Sequence, residues 1–330
     1  MIRLGTGSED LERAVSLLRA GRLVAFPTET VYGLGADASS PEAVAEIFRA
    51  KGRPADHPVI VHLPSAADLR HWARVVPDAA WRLAARFWPG PLTLVLARAE
   101  GVCDAITGGQ STVGLRVPGN KVALDLLRAF DGALAAPSAN RFGHVSPTTA
   151  AHVIEEFGGE NVAAVVDGGP CTVGVESTIV DLSGPRPRLL RPGMIRIDVI
   201  EAELGLPLER VGSQQGPRSP GRLESHYAPG APVELVDADA VADRAGACAA
   251  AGERVAVLAR RKTLAGAANP VWIEMPQHPV QFARALYAAL RGADELNPDR
   301  ILVEAPPESA GWEAISDRLL KASAPRPVER

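Results

Sequence analysis

Between residues 51 and 62 the chain reads KGRPADHPVIVH, with Lys51 and Arg53 one residue apart and His57 and His62 around a short apolar run. Such a cluster suits two chemistries. Two fixed cations beside a glycine hold phosphate oxygens, arginine as a fork and lysine as a point charge. Two histidines with Asp56 point instead to a metal, although no third ligand follows at a sensible spacing. A solvated helix end, where the dipole favours cations, is the structural alternative. A second misplaced charge is Arg116, which interrupts the apolar run TVGLRV at 112 to 117. An arginine buried there needs a carboxylate, from the protein or from a ligand.

Two polar stretches follow apolar runs. FPTETVYGLGADA (26 to 38) gathers hydroxyls, a carboxylate and two glycines, and reads as a turn that either joins strand to helix or carries a site. APSANRFGHVSPTTA (136 to 150) holds Ser138, Asn140, His144, Ser146, Thr148 and Thr149. Ser146 followed by Pro147 has the pattern of an N-cap and a first helical position, and a hydroxyl-rich helix start after a strand also suits phosphate. The Walker pattern is absent, and so is the GxSxG pattern that would support a triad built on Ser138 and His144.

The elements that must position these residues follow from periodicity. Apolar residues at helical spacing over 9 to 20 stop at Gly21, and RLVAF (22 to 26) follows as a strand. Ser40, Pro41 and Gly52 bracket a helix, which puts Lys51 in its last turn and Arg53 just beyond. Apolar runs at 59 to 63, 92 to 97, 112 to 117, 133 to 136, 162 to 166 and 177 to 182 are interleaved with helical patterns near 77 to 87, 121 to 130 and 148 to 157. The expected core is a twisted α/β sheet of mixed strand direction, closed near residue 200. Residues 211 to 231 are poor in large apolar side chains and read as a linker or covering loop. Beyond them PVELV, RVAVLA and RILVEA alternate with helical segments near 238 to 251, 280 to 292 and 311 to 321, a second, smaller α/β domain. The expected division is therefore 1 to 210, 211 to 231 and 232 to 330.

Composition agrees with a globular protein: of 330 residues 46% are apolar and 22% charged, with 31 glycines and 28 prolines in no repeat. A net charge of −4 gives no general attraction to nucleic acid, so an RNA contact requires a local basic patch. Cys103, Cys171 and Cys248 lie far apart without a CxxC pair, which argues against a disulfide or zinc framework. The first residues lack the apolar core of a signal peptide and no run reaches the roughly 18 apolar residues of a membrane span, so a cytoplasmic protein without membrane contact is expected.

Taken in order, PTETVYGLGADA, KGRP with PVIVH, FWPGPLTLVL, GLRVPGN, APSAN, VESTIVDL and LLRPG resemble the threonylcarbamoyl-AMP synthase family over about residues 10 to 200. SPG (219 to 221), HYAP (226 to 229) and the trailing α/β domain are similar to its two-domain form. The resemblance implies a YrdC-like twisted mixed sheet with a concave positive surface, plus a Rossmann-like accessory domain. It implies an enzyme that makes L-threonylcarbamoyl-AMP and pyrophosphate from L-threonine, bicarbonate and ATP. The substrates supply their own nucleophile, so the protein's task is proximity and charge neutralisation.

Position by position, Lys51 and Arg53 match the family's KxR element, which meets the nucleotide phosphates and is catalytic. Ser138 and Asn140 match its SxN element at the nucleotide end. Thr30, His62, Arg116 and Ser177 fall where threonine is held. Thr112, Ser146, Arg191 and Tyr227 face ATP, His57 is a nucleotide contact, and Thr28 and Tyr32 shape the pocket wall. Mg2+ is expected on the ATP phosphates, with no metal site built from protein side chains. The product implies a threonylcarbamoyl transferase partner acting on the tRNA adenosine beside the anticodon, and a direct tRNA contact is compatible with it. Between SPG and HY the family writes a basic and aromatic run, whereas this chain has RLES (222 to 225), keeping a cation only at Arg222. Two other readings are a carbamoyl-adenylate-dependent carbamoyltransferase, whose zinc-finger cysteines and extra domain are missing, and a non-catalytic RNA-binding module.

Overall fold

The computed structural model describes residues 1–158, 161–210, 216–221, 225–261 and 269–325. Contacts divide the chain into two compact units, one formed by Met1–Phe142 with Pro147–Arg222, the other by Gly143–Ser146 with Leu223–Arg330.

In the first unit the apolar runs become strands β1 (Ile2–Leu4), β2 (Leu23–Phe26), β3 (Gly33–Asp37), β4 (Ile60–His62), β5 (Leu92–Ala97), β6 (Thr112–Arg116), β7 (Leu134–Ala135), β8 (Val162–Val166), β9 (Thr178–Asp181), β10 (Arg188–Arg191) and β11 (Glu209–Arg210). They form one sheet in the order β1-β8-β2-β3-β7-β4-β6-β5-β9-β10-β11. Strand directions are mixed: β4 runs parallel to β6 and β5 parallel to β9, while β5 and β6 are antiparallel. Successive residues of a strand point to opposite faces, and β2 shows the result. Leu23 and Ala25 enter a core shared with Ile47, Val61, Leu94 and Leu115, whereas Val24 and Phe26 pack with Leu18 and Leu127 of the helices Ser8–Arg19 and Lys121–Phe130. The helix Pro41–Lys51 has the expected punctuation. The Ser40 side chain accepts from the Ala43 N–H, Pro41 opens the first turn, and Gly52 closes the last at φ 62°.

Two expectations fail locally. Residues 26 to 38 are not all turn, because Gly33–Asp37 is a strand that pairs antiparallel with β2. Gly35 permits that pairing, since a Cβ there would stand 2.8 Å from the Phe26 ring. Ser146 and Pro147 do not start the next helix, which spans Ala150–Phe157 and is capped by the Thr149 side chain. The carbonyls of Pro147 and Thr148 instead accept from the N–H groups of Tyr32 and Cys171. Cross-chain hydrogen bonds hold that segment extended, and the local cap signal loses to them.

The second unit is a four-stranded parallel sheet of β12 (Val233–Val236), β13 (Val255–Ala259), β14 (Val271–Glu274) and β15 (Arg300–Glu304) in the order β12-β15-β13-β14. Helices Val241–Ala250, Pro279–Glu295 and Glu313–Ser323 accompany it, which makes it Rossmann-like. The three cysteines are free. Among the described residues no helix is long and apolar enough to cross a membrane.

Candidate active site

The sheet register brings the first group of candidates together. His62 lies opposite Arg116 on β4 and β6, and the β5–β6 and β5–β9 pairings carry Ser177, just before β9, to the same end. Arg116 is buried, and its guanidinium makes three near contacts. Nη1 donates to Thr30 Oγ1 at 3.0 Å, Nε donates to the Gly90 carbonyl at 3.3 Å, and Nη2 stands 2.7 Å from Glu29 Oε1. The protein thus supplies one carboxylate for the arginine that the sequence marks as needing one. Thr30 Oγ1 lies 2.8 Å from Thr28 Oγ1, and the Thr28 hydroxyl reaches the Val31 carbonyl at 2.6 Å, so this turn is braced from inside. Burial, then the Arg116 charge, pushes His62 down to about 3, leaving it neutral. Ser177 Oγ sits 2.8 Å from Thr93 Oγ1 and accepts from Arg191 Nη2 at 3.1 Å; Arg191 Nη1 donates to the Pro220 carbonyl at 3.1 Å.

The second group surrounds the end of the helix Pro41–Lys51. Lys51 is buried, and its Nζ donates to the carbonyls of Ser138, at 2.6 Å, and Asn140. Burial first, and then the Arg53 charge, holds its pKa well below the usual lysine value. The Ser138–Asn140 loop is fastened from the other side as well, by a bridge from Ser138 to Gly33 and by the Ala139 N–H on the Tyr32 carbonyl. Arg53 Nη2 donates to the Pro58 carbonyl at 2.8 Å, and its guanidinium lies 5.7 Å from the centre of the Phe142 ring. His57 meets the same ring edge-on at 5.3 Å, and burial, followed by the Arg53 charge, lowers its pKa. Thr112 opens β6 and lines a small cavity with Gln110, Ile179, Arg218 and Ser219. Arg218 is anchored there by Asp56 Oδ2 at 3.0 Å and the Gly108 carbonyl at 2.7 Å.

Ser146 and Tyr227 belong to the second unit. Ser146 is buried. Tyr227 adopts φ 62°, with its ring stacked on Tyr287 at 5.8 Å, beside His226 at 4.1 Å, and under the Arg318 guanidinium at 5.3 Å. Arg222, with the linker positions 211–215 and 223–224, lies outside the described residues. Glu29, Thr93, Phe142 and Arg218 join the candidate residues here without having been assigned from sequence. For Glu29 a signal existed: a lone carboxylate in an otherwise uncharged PTETVYGLG, directly after a buried strand.

What this arrangement offers is a set of three buried guanidinium cations, Arg53, Arg116 and Arg191, with Lys51, a neutral His62 and hydroxyls among them. Buried cations on this scale call for anions. A Sua5/YciO/YrdC family model described as "Telomere recombination" matches residues 16–193, and one described as "Threonylcarbamoyl-AMP synthase, C-terminal domain" matches residues 195–324. The threonylcarbamoyl-AMP synthase of Pyrococcus abyssi is 42% identical over 326 residues, covering 96% of this chain and 94% of its own. The chain belongs to the threonylcarbamoyl-AMP synthase family. The Bacillus subtilis threonylcarbamoyl-AMP synthase is 39% identical, covering 98% of this chain and 96% of its own. A crystal structure of P. abyssi Sua5 complexed with L-threonine matches with a TM-score of 0.89 at 39% identity, over 98% of this chain and 97% of that one. Membership in the threonylcarbamoyl-AMP synthase family therefore extends through both units.

Proposed function

We propose that the chain forms L-threonylcarbamoyl-AMP and pyrophosphate from L-threonine, bicarbonate and ATP. The observation that carries this reading is the cation set, because the reaction assembles three anionic groups that repel one another in water: the triphosphate, bicarbonate and the amino-acid carboxylate. The threonine amine attacks bicarbonate, a C–N bond forms and water leaves, giving a carbamate. A carbamate oxygen then attacks the α-phosphorus, and the bond to the β-phosphate breaks to release pyrophosphate.

Within this reading Arg116 takes the threonine carboxylate, and Thr30 and Ser177 take polar groups beside it. His62, being neutral, adds no repulsion to the substrate's ammonium. Arg53 and Lys51 meet the phosphates, backed by Arg191, while Ser138, Asn140, His57 and Thr112 serve the nucleotide; Ser146 and Tyr227 are nucleotide candidates within the second unit. Mg2+ would be held chiefly by the phosphates of ATP, where it would neutralise charge at the leaving group. The product would be consumed by a threonylcarbamoyl transferase acting on tRNA in the cytoplasm, which asks for no tRNA contact by this chain.

The test is pyrophosphate release measured with each substrate omitted in turn. The reading requires dependence on both threonine and bicarbonate, and release indifferent to threonine would sink it.

A further inference from the structure

We infer that Glu29 receives the α-ammonium group of the amino-acid substrate and thereby makes this site select an amino acid over the corresponding hydroxy acid. The inference rests on the threonine reading above and adds to it a residue with a distinct task.

Glu29 is buried within the β2–β3 connection, 7% exposed. Its backbone is fixed, since its carbonyl accepts from the Val173 N–H at 2.7 Å and the next carbonyl accepts from Gly174 at 3.1 Å. Oε1 lies 2.7 Å from Arg116 Nη2, yet out of hydrogen-bonding alignment. Neither Oε1 nor Oε2 finds a hydrogen-bond donor among the described residues, and neither does Arg116 Nη2 find an acceptor. A buried carboxylate with a purely structural role collects donors on both oxygens. Glu304 of the second unit, 3% exposed, does so, accepting from the Arg260 N–H and from Arg260 Nη2, each at 2.6 Å. Glu29 does not.

The space beside the carboxylate is kept by glycine. A Cβ on Gly119 would stand 3.2 Å from Glu29 Oε1 and 3.2 Å from the Gly90 Cα, so an alanine there would crowd the acceptor. The charges around it are complementary to one ligand class. An α-amino acid carries an anion and a cation on one carbon, and here a guanidinium whose Nη2 makes no hydrogen bond stands 2.7 Å from a carboxylate whose oxygens accept none. No competing cation or anion is supplied by the neighbours named so far: His62 is neutral, and burial together with the Glu29 charge pushes the Cys171 thiol up to about 12. A hydroxy acid would satisfy Arg116 and could donate its hydroxyl to Glu29, but it brings no cation to balance the buried carboxylate, so the charge–charge attraction is lost.

The experiment is calorimetric titration of the full-length protein with L-threonine and with 2,3-dihydroxybutyrate, in which a hydroxyl replaces the amine. The wild type should bind threonine about 100-fold more tightly than the analogue, the usual scale for truncating one member of a buried charge pair. Glu29→Gln should weaken threonine by about that factor and leave the analogue unchanged or tighter, because a repulsion on its carboxylate is removed. Equal weakening of both ligands, or unimpaired threonine binding, overturns the assignment. Should Glu29→Gln fail to fold, Glu29→Asp keeps the charge and withdraws it by one methylene; loss of discrimination without loss of analogue binding supports the assignment, and equal loss refutes it. A wild type that does not bind threonine overturns the threonine reading, and the Glu29 assignment falls with it.

Discussion

Burial, with the Arg116 charge behind it, sets the ionisation of His62. With its folded pKa near 3, His62 stays neutral where the unfolded chain, titrating near 6.5, takes up a proton. The unfolded state therefore binds more protons between those values, and stability falls as pH drops from about 6.5 toward 3. Between pH 7 and pH 5 the loss from this group amounts to about 2 kcal/mol. Urea melts of His62→Gln at the two pH values should show a correspondingly shallower decline than the wild type. Arg53→Ala addresses the chemistry instead: adenylate formation should fall by about 100-fold or more with the fold retained by circular dichroism, and full activity would remove Arg53 from the phosphate site. At this scale Arg116 was legible because a charge inside an apolar run breaks a pattern. Glu29 left a weaker mark, as the lone charge of PTETVYGLG, because a carboxylate in a polar turn breaks no apolar pattern.

The helix Pro41–Lys51 shows why some elements could be read and others could not. Its serine cap, first-turn proline and closing glycine are all local, and every one of them is realised. The two-residue β11 has no periodicity to read, and sheet pairing alone defines it. The helix also delivers Lys51 to the Ser138 and Asn140 carbonyls, which converts a helix end into the fastening of a loop. Lys51→Met should leave those carbonyls unpaired, partly offset by the relief of burying an ammonium, for a net loss of about 2 kcal/mol. Amide exchange over residues 138–142 should quicken in that variant while the rest of the sheet keeps its protection. Gly52→Ala, forced into the left-handed region with no steric contact to blame, should cost about 1 kcal/mol, seen as a lower urea midpoint at unchanged slope.

Across the whole molecule, the broad plan of mixed sheet followed by a smaller parallel one could be read from apolar runs spaced by turns. The membership of Gly143–Ser146 in the second unit could not, because a four-residue loop leaves no compositional mark. Within the second unit, Tyr227 offers a way to test its nucleotide assignment. The chain has three tyrosines, and two of them, Tyr227 and Tyr287, stack at 5.8 Å with rings 25° apart. Their electronic transitions couple, so the protein carries a built-in optical reporter in its near-ultraviolet dichroism, which Tyr287→Leu should erase. An ATP titration that leaves this band flat would take Tyr227 out of the nucleotide's reach without any label having been attached.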